Sequence, residues 1–186
     1  AKNGTKLARG ANFRCVMSEM PIASSHIYGE GKAGRMGARL MAIVDEGKNG
    51  RVYLSPTEAQ AAAALTAPLS WKPELEMPEN PRWFSPPGYG LTTYGDLFTA
   101  RQLTALNTFS DLVAEAIATA QRDAKAAGLS DDGIALAKGG KGARAYGEAV
   151  GVYLGLGVSR LADIQNSLCC WEITKTQVRH LFTRHA

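Results

Sequence analysis

Hydrophobic and polar positions along the chain change rhythm near residue 56, and that change predicts the architecture. Between residues 12 and 56 the apolar residues come in short runs: 13–17, a run around Ile27, 39–44 and 51–54. Short runs bounded by turn residues predict strands, so a small antiparallel sheet is expected here. The last two runs are joined by Asp45-Glu46-Gly47-Lys48-Asn49-Gly50, whose Asn49-Gly50 pair supplies the positive backbone angles of a tight hairpin turn. An alanine-rich helix should then open at Pro56 and run to about Leu65, with Ser55 as its N-cap and Glu58 completing a capping box. Its small residues predict close packing.

From residue 67 to 94 prolines recur too often for a regular element. The rings of Trp71, Trp83, Phe84 and Tyr89 predict an ordered, aromatic-anchored loop rather than a slack linker. The longest helix should start at Thr99, capped with Gln102, and stop at Gly128. Leu103, Leu106, Phe109, Leu112, Val113, Ile117 and Ala120 fall at three- and four-residue spacing and give it an apolar face. A glycine-rich connection leads to a second long helix over 143–168, where Gly147, Gly151 and Gly155 recur every fourth residue. Glycine weakens a helix, so some backbone must approach closely there, and the Thr99 helix is the expected neighbour. Residues 170–173 read as a short strand and Thr174 as the cap of a final helix. The expected fold is α+β: a small antiparallel β-rich N-terminal part followed by a mainly helical part with two long packed helices. The boundaries read as 1–66, a crossing loop over 67–95, and a helical part over 96–186.

Composition changes this picture little. The 186 residues carry a formal charge of +4 and are 45% hydrophobic, enough for one ordinary core and compatible with a polyanionic partner. Three cysteines, two of them adjacent at Cys169 and Cys170, make no secreted disulfide framework, and a reducing cytoplasm is expected. The most apolar stretch, 145–159, is shorter than a membrane span and contains Glu148, so no membrane partner is expected. The chain begins without methionine and ends inside an amphipathic pattern, as an internal fragment would.

Candidate chemistry is sparse. Gly29, Gly31 and Gly34 match a dinucleotide fingerprint by letter, but that fingerprint needs a strand before it and a helix after it, and the following segment reads as a strand. A flexible basic loop is the better reading. Lys32, Arg35 and Arg39 in that loop, and Lys138, Lys141 and Arg144 in the glycine-rich connection, form two clusters where cations and backbone amides could meet phosphates. Cys15 sits where a zinc knuckle would need a second cysteine three residues on, and Ser18 occupies that place. No combination of nucleophile and base marks a hydrolase, and no catalytic residue is assigned. The Ser85-Pro86-Pro87-Gly88-Tyr89 run differs from an amino-methyltransferase signature in its first residue and in the inserted Gly88.

Three stretches do resemble a known family. GKAGRMGARLMAIV at 31–44, TYGDLFTARQLTAL at 93–106 and RLADIQNSLCCWE at 160–172 are similar, in the same order, to segments of large adenine-specific DNA methylases that carry a zinc-ribbon module. With the linking segments the resemblance covers nearly the whole chain. It implies a parent enzyme that uses S-adenosylmethionine, whose Asp-Pro-Pro-Tyr catalytic motif and cofactor loop lie outside these residues. It also implies that 13–22 is the degenerate second half of the ribbon. The chain would then bind no cofactor itself, and its partners would be DNA and the remainder of the parent methylase. A free-standing basic nucleic-acid-binding module, or an assembly domain of a larger defence-type complex, would account for the same residues.

Overall fold

A computed structural model describes residues 4–10, 12–78, 84–172 and 174–181. The fold is α+β, with three small antiparallel strand pairs among the described residues and two long helices packed on each other. The chain divides into two compact units, one made of residues 1–57 and 73–97, the other of residues 58–72 and 98–186.

The first unit opens with a strand pair, β1 (Phe13–Arg14) and β2 (Pro21–Ile22), in which Phe13 faces Ile22. Helix α1 (Ser24–Lys32) follows, where the apolar pattern predicted a strand around Ile27 and a loop after it. The reason is tertiary. Gly31 lies against the Tyr89 backbone and Gly90 against the Gly31 backbone so closely that a side chain on either would collide, and the Tyr28 ring packs 4.8 Å from that of Tyr89. A helix turn places Tyr28 and Gly31 on one side, three residues apart, so the contact favours helix despite two glycines. Gly90 also holds φ at 84°, which glycine adopts without strain.

Strands β3 (Ile43–Gly47) and β4 (Gly50–Leu54) form the predicted hairpin, paired from Ile43 with Leu54 to Gly47 with Gly50. Of the Asn49-Gly50 pair only Gly50 takes a positive angle, φ 117°. The proline-rich crossing is ordered by its backbone: the Met77 amide donates to Thr92, Tyr94 to Leu75 and Gly95 to Pro73. Its rings do less than predicted. Tyr89 is anchored on Tyr28 and Phe84 is half-buried, but Trp71 is exposed; Trp83 lies outside the described residues.

In the second unit, α2 (Glu58–Leu65) begins later than a Ser55 cap would set and, against expectation, buries none of its residues. Helix α3 (Ala100–Ala126) has the predicted capping box: the Thr99 amide donates to Gln102 Oε1 at 2.8 Å and the Gln102 amide to Thr99 Oγ1 at 3.4 Å. Leu103 and Leu106 are buried, whereas Phe109 and Leu112 on the same apolar face are exposed. Helix α4 (Ala143–Ile164) ends four residues before the predicted 168. It meets α3 where the glycine spacing predicted. A methyl on Gly147 would lie 2.8 Å from the Ile117 carbonyl oxygen, and one on Gly151 would lie 2.5 Å from the Ile117 side chain; beside Gly155 there is open space.

The predicted strand at 170–173 is present as β5 (Cys170–Glu172), but over the described residues after Thr174 the predicted final helix is instead a second strand, β6 (Gln177–Arg179), with Trp171 opposite Val178. Thr176 turns the chain at φ 49°, and aromatic and β-branched residues facing each other favour strand over helix. Among the described residues no helix is long and apolar enough to cross a membrane.

Gly147 and Gly155 of α4 should separate in a stability series. Gly147→Ala, facing backbone, should cost about 1–3 kcal/mol through overpacking. Gly155→Ala, facing open space, should gain up to about 1 kcal/mol from helix propensity. Denaturant unfolding of each variant reads both, and equal effects at the two positions would contradict this packing.

Candidate nucleic-acid interface

The first basic cluster lies at the end of α1. Lys32 occupies the last helical turn, Gly34 reverses the chain at φ 67°, and Arg35 and Arg39 follow. Lys32 and Arg39 are exposed. Arg35 is held by Glu30 through two hydrogen bonds, Nε to Oε2 at 2.7 Å and Nη2 to Oε1 at 2.6 Å. That forked pair raises the Arg35 pKa and holds the Glu30 carboxyl below its ordinary value. It also leaves Arg35 less charge to offer a phosphate. Gly29 and Gly31 lie inside α1 and Gly34 just after its end, so these glycines do not form the turn before a helix start that the dinucleotide fingerprint requires.

The second cluster sits on the loop leading into α4. Lys138 ends a short 3-10 turn (Leu136–Lys138), and both Lys138 and Lys141 are exposed. The loop's amides, predicted to be available to phosphate, are occupied by carboxylates of the chain itself. Asp131 Oδ1 accepts from the amides of Gly133 (3.1 Å) and Arg144 (3.2 Å). Asp132 accepts from Ile134 (2.9 Å) and Lys141 (3.0 Å), and Glu148 from Leu136 (2.6 Å). Arg144 is likewise committed, its Nε to Glu148 Oε1 and its Nη1 to the Gly133 carbonyl, both at 2.9 Å. Gly140 and Gly142 have no room for a side chain, because the loop's own backbone lies against them. The result is a rigid mount from which two lysines project.

Of the six predicted contact residues, Lys32, Arg39, Lys138 and Lys141 therefore present exposed side chains, while Arg35 and Arg144 are tied to Glu30 and Glu148. The two clusters belong to different units.

The Cys15 segment forms a tight turn. The Cys15 amide donates to Met20 at 2.8 Å, the Glu19 amide to the Cys15 carbonyl at 3.0 Å, and Glu19 takes φ 59°. The Ser18 hydroxyl, then the Ser18 and Met17 amides, hydrogen-bond the thiol and lower its pKa. One sulfur cannot hold a structural zinc, and among the described residues no three His, Cys, Asp or Glu side chains converge on a point. These residues do not fit the metal that a ribbon module implies.

A polar cluster escaped the sequence reading because its members are 17 residues apart. Asp163, with its side chain only 8% exposed, receives Arg160 Nη1 at 2.7 Å and the Leu181 amide at 3.1 Å. His180 Nδ1 lies 3.2 Å from Asp163 Oδ2, off the line of a hydrogen bond, and its Nε2 lies 3.1 Å from Arg160 Nη2. The Cys169 thiol donates to the Asp163 carbonyl, and buried Asn166 donates to the carbonyls of Ala162 and Asp163. The contacts of Cys169, His180 and Leu181 tie the ends of the β5–β6 hairpin to the end of α4, while the Arg160–Asp163 pair and the Asn166 bonds brace that helix end itself. Ser85 to Gly90 serves packing as well, through the Tyr89–Tyr28 and Gly90–Gly31 contacts.

No protein-family model, curated protein or solved structure matches the chain.

Two pH responses follow. Lys125 with the Gly133 and Arg144 amides depresses the Asp131 pKa; the Lys141 and Ile134 amides depress that of Asp132; the Leu136 amide and Arg144 depress that of Glu148. Carboxyls with depressed folded values contribute stability above their unfolded pKa, near 4, and lose it as pH falls through the folded values. The protection factors of the Leu136 and Lys141 amides, that is, exchange corrected for its intrinsic pH dependence, should therefore fall as the solution is acidified below about pH 4, and unchanged protection there would contradict the assignment. Cys15 should be alkylated at lower pH than an ordinary thiol, and Ser18→Ala should move that profile upward; coincident profiles would show that Ser18 does not tune the thiol.

Proposed function

We propose that this chain is an internal scaffold and DNA-contacting region of an S-adenosylmethionine-dependent, adenine-specific DNA methyltransferase, and that it is not catalytic by itself. The resemblance of the three stretches to the zinc-ribbon methylases carries this reading. Support comes from where those stretches fall. The first holds Gly31 and its backbone contact together with Lys32, Arg35 and Arg39. The second holds Asp96, which accepts the Thr92 and Thr93 amides, and the Thr99–Gln102 capping box. The third holds Arg160, Asp163 and Asn166. Residues with such specific geometric demands are the ones a shared scaffold would keep.

In the parent enzyme a methyl group passes from S-adenosylmethionine to the exocyclic amine of adenine. The adenine would be turned out of the duplex into a pocket supplied by the rest of the protein. This region contributes phosphate contacts through Lys32, Arg39, Lys138 and Lys141, with Arg35 and Arg144 in supporting ion pairs. Such contacts position DNA without reading its sequence. The cytoplasm, where DNA and S-adenosylmethionine meet, is the compartment this role requires. A free-standing basic nucleic-acid-binding module is the second reading, favoured by the same four exposed cations.

Fluorescence anisotropy with duplex DNA at several salt concentrations tests the contact residues. Lys138→Gln and Lys141→Gln should each weaken binding and flatten the plot of log affinity against log salt by about 1. Arg35→Gln should do less, because Glu30 already neutralises it. Affinity and salt slope unchanged in a Lys32, Arg39, Lys138 and Lys141 quadruple Gln variant would remove the DNA-contact role.

A further inference from the structure

One carboxylate oxygen at the end of α4 has two donors competing for it. Asp163 presents Oδ2 to Arg160 Nη1 at 2.7 Å and to His180 Nδ1 at 3.2 Å. Only the first contact is a hydrogen bond; Nδ1 is buried and has no hydrogen-bond partner among the described residues. The same guanidinium reaches the other side of the ring, where its Nη2 lies 3.1 Å from His180 Nε2. A guanidinium donates and has no acceptor, so Nε2 must carry a lone pair and accept from Arg160. A neutral imidazole with its lone pair on Nε2 holds its proton on Nδ1, beside Asp163. Arg160 therefore fixes both the charge and the tautomer of the ring in this arrangement.

We propose that Arg160, Asp163 and His180 form a proton-operated switch where the β5–β6 hairpin is tied to α4. With the ring neutral, Arg160 bridges Asp163 and His180. A proton arriving at Nε2 sets two N–H groups and two positive charges against each other at that contact, and the guanidinium is expelled. Arg160 is the group that moves: its side chain is 63% exposed and passes readily into water, whereas that of Asp163 is 8% exposed. Its departure clears Oδ2, and the Nδ1–H of the charged ring takes its place as donor. The Leu181 amide keeps Asp163 Oδ1 in both states, so the hairpin stays tied while Arg160 turns outward as a solvated cation. Histidine is the side chain suited to such a role near neutral pH. Among the described residues, the other titratable groups around this site are the Cys169 thiol, which bonds the Asp163 carbonyl, and Arg179, which precedes His180 and lies opposite Cys170 in the strand pair. The switch does not depend on the DNA-methylase reading.

Nitrogen NMR of the full chain, titrated from alkaline solution down to about pH 5 and so above the ordinary carboxylate range, is the test. At the alkaline end His180 should show its proton on Nδ1 and its lone pair on Nε2, and Arg160 should show separate Nη1 and Nη2 resonances, as a fixed guanidinium does. The two Arg160 resonances should merge along the same curve as the His180 ring titrates. His180→Gln can accept from Arg160 and donate to Asp163 without ever gaining charge, so in that variant they should stay separate throughout. The α4 amide spectrum shows whether the variant is folded. In the native chain, a neutral ring with its proton on Nε2, or Arg160 resonances that do not follow the His180 titration, would overturn the switch whatever the variant does. So would a folded Gln variant in which the Arg160 resonances still merge along the native curve.

Discussion

The approach of α4 to α3 at Gly147 and Gly151 is the constraint on which the helical unit depends. Only a residue without a side chain lets the α4 backbone come against Ile117 and Gln121, and glycine in a helix costs up to about 1 kcal/mol relative to alanine. That cost is offset by contact between two long helices along their length. Once the two axes are set, the rest of the unit follows from their ends. The start of α4 must be capped by the loop arriving from α3, and its end must receive the hairpin that follows.

Both ends are finished with carboxylates. At the start, Asp131, Asp132 and Glu148 take up amides that a tight glycine-rich loop would otherwise leave without partners. At the end, Asp163 is buried among Arg160, the Leu181 amide and His180. Removing one partner from such a group would leave a charge unsatisfied, so it fixes the hairpin more firmly than its few apolar residues could. The same economy bears on function. Cations and amides that looked available to phosphate are partly spent within the chain, and the ones that remain project from rigid mounts.

Much of this was legible because it is local. The Thr99–Gln102 box, the β3–β4 hairpin and the glycine spacing of α4 each announce themselves within a few residues, and the α+β architecture follows from them. What was not legible depends on residues far apart. Helix α1 forms because Gly31 and Tyr28 meet Gly90 and Tyr89, nearly sixty residues later, so its own glycines pointed to a loop. Strand β6 read as a helix because Thr174 is a good cap, yet Trp171 and Val178 pair across a turn. The Asp163 cluster gave no signal, since one carboxylate and one histidine at that separation mean little until the chain folds. For the basic clusters the sequence located the cations, but the pairing of Arg35 with Glu30 and of Arg144 with Glu148 required the structure.

The most direct test of the central claim, that this chain contacts DNA through its exposed cations, is photo-crosslinking to a bromodeoxyuridine duplex followed by peptide mapping. The account predicts adducts on the peptides that hold residues 32–39 and 138–141. Adducts confined to other segments, or none at all under conditions where a control DNA-binding protein is labelled, would contradict it.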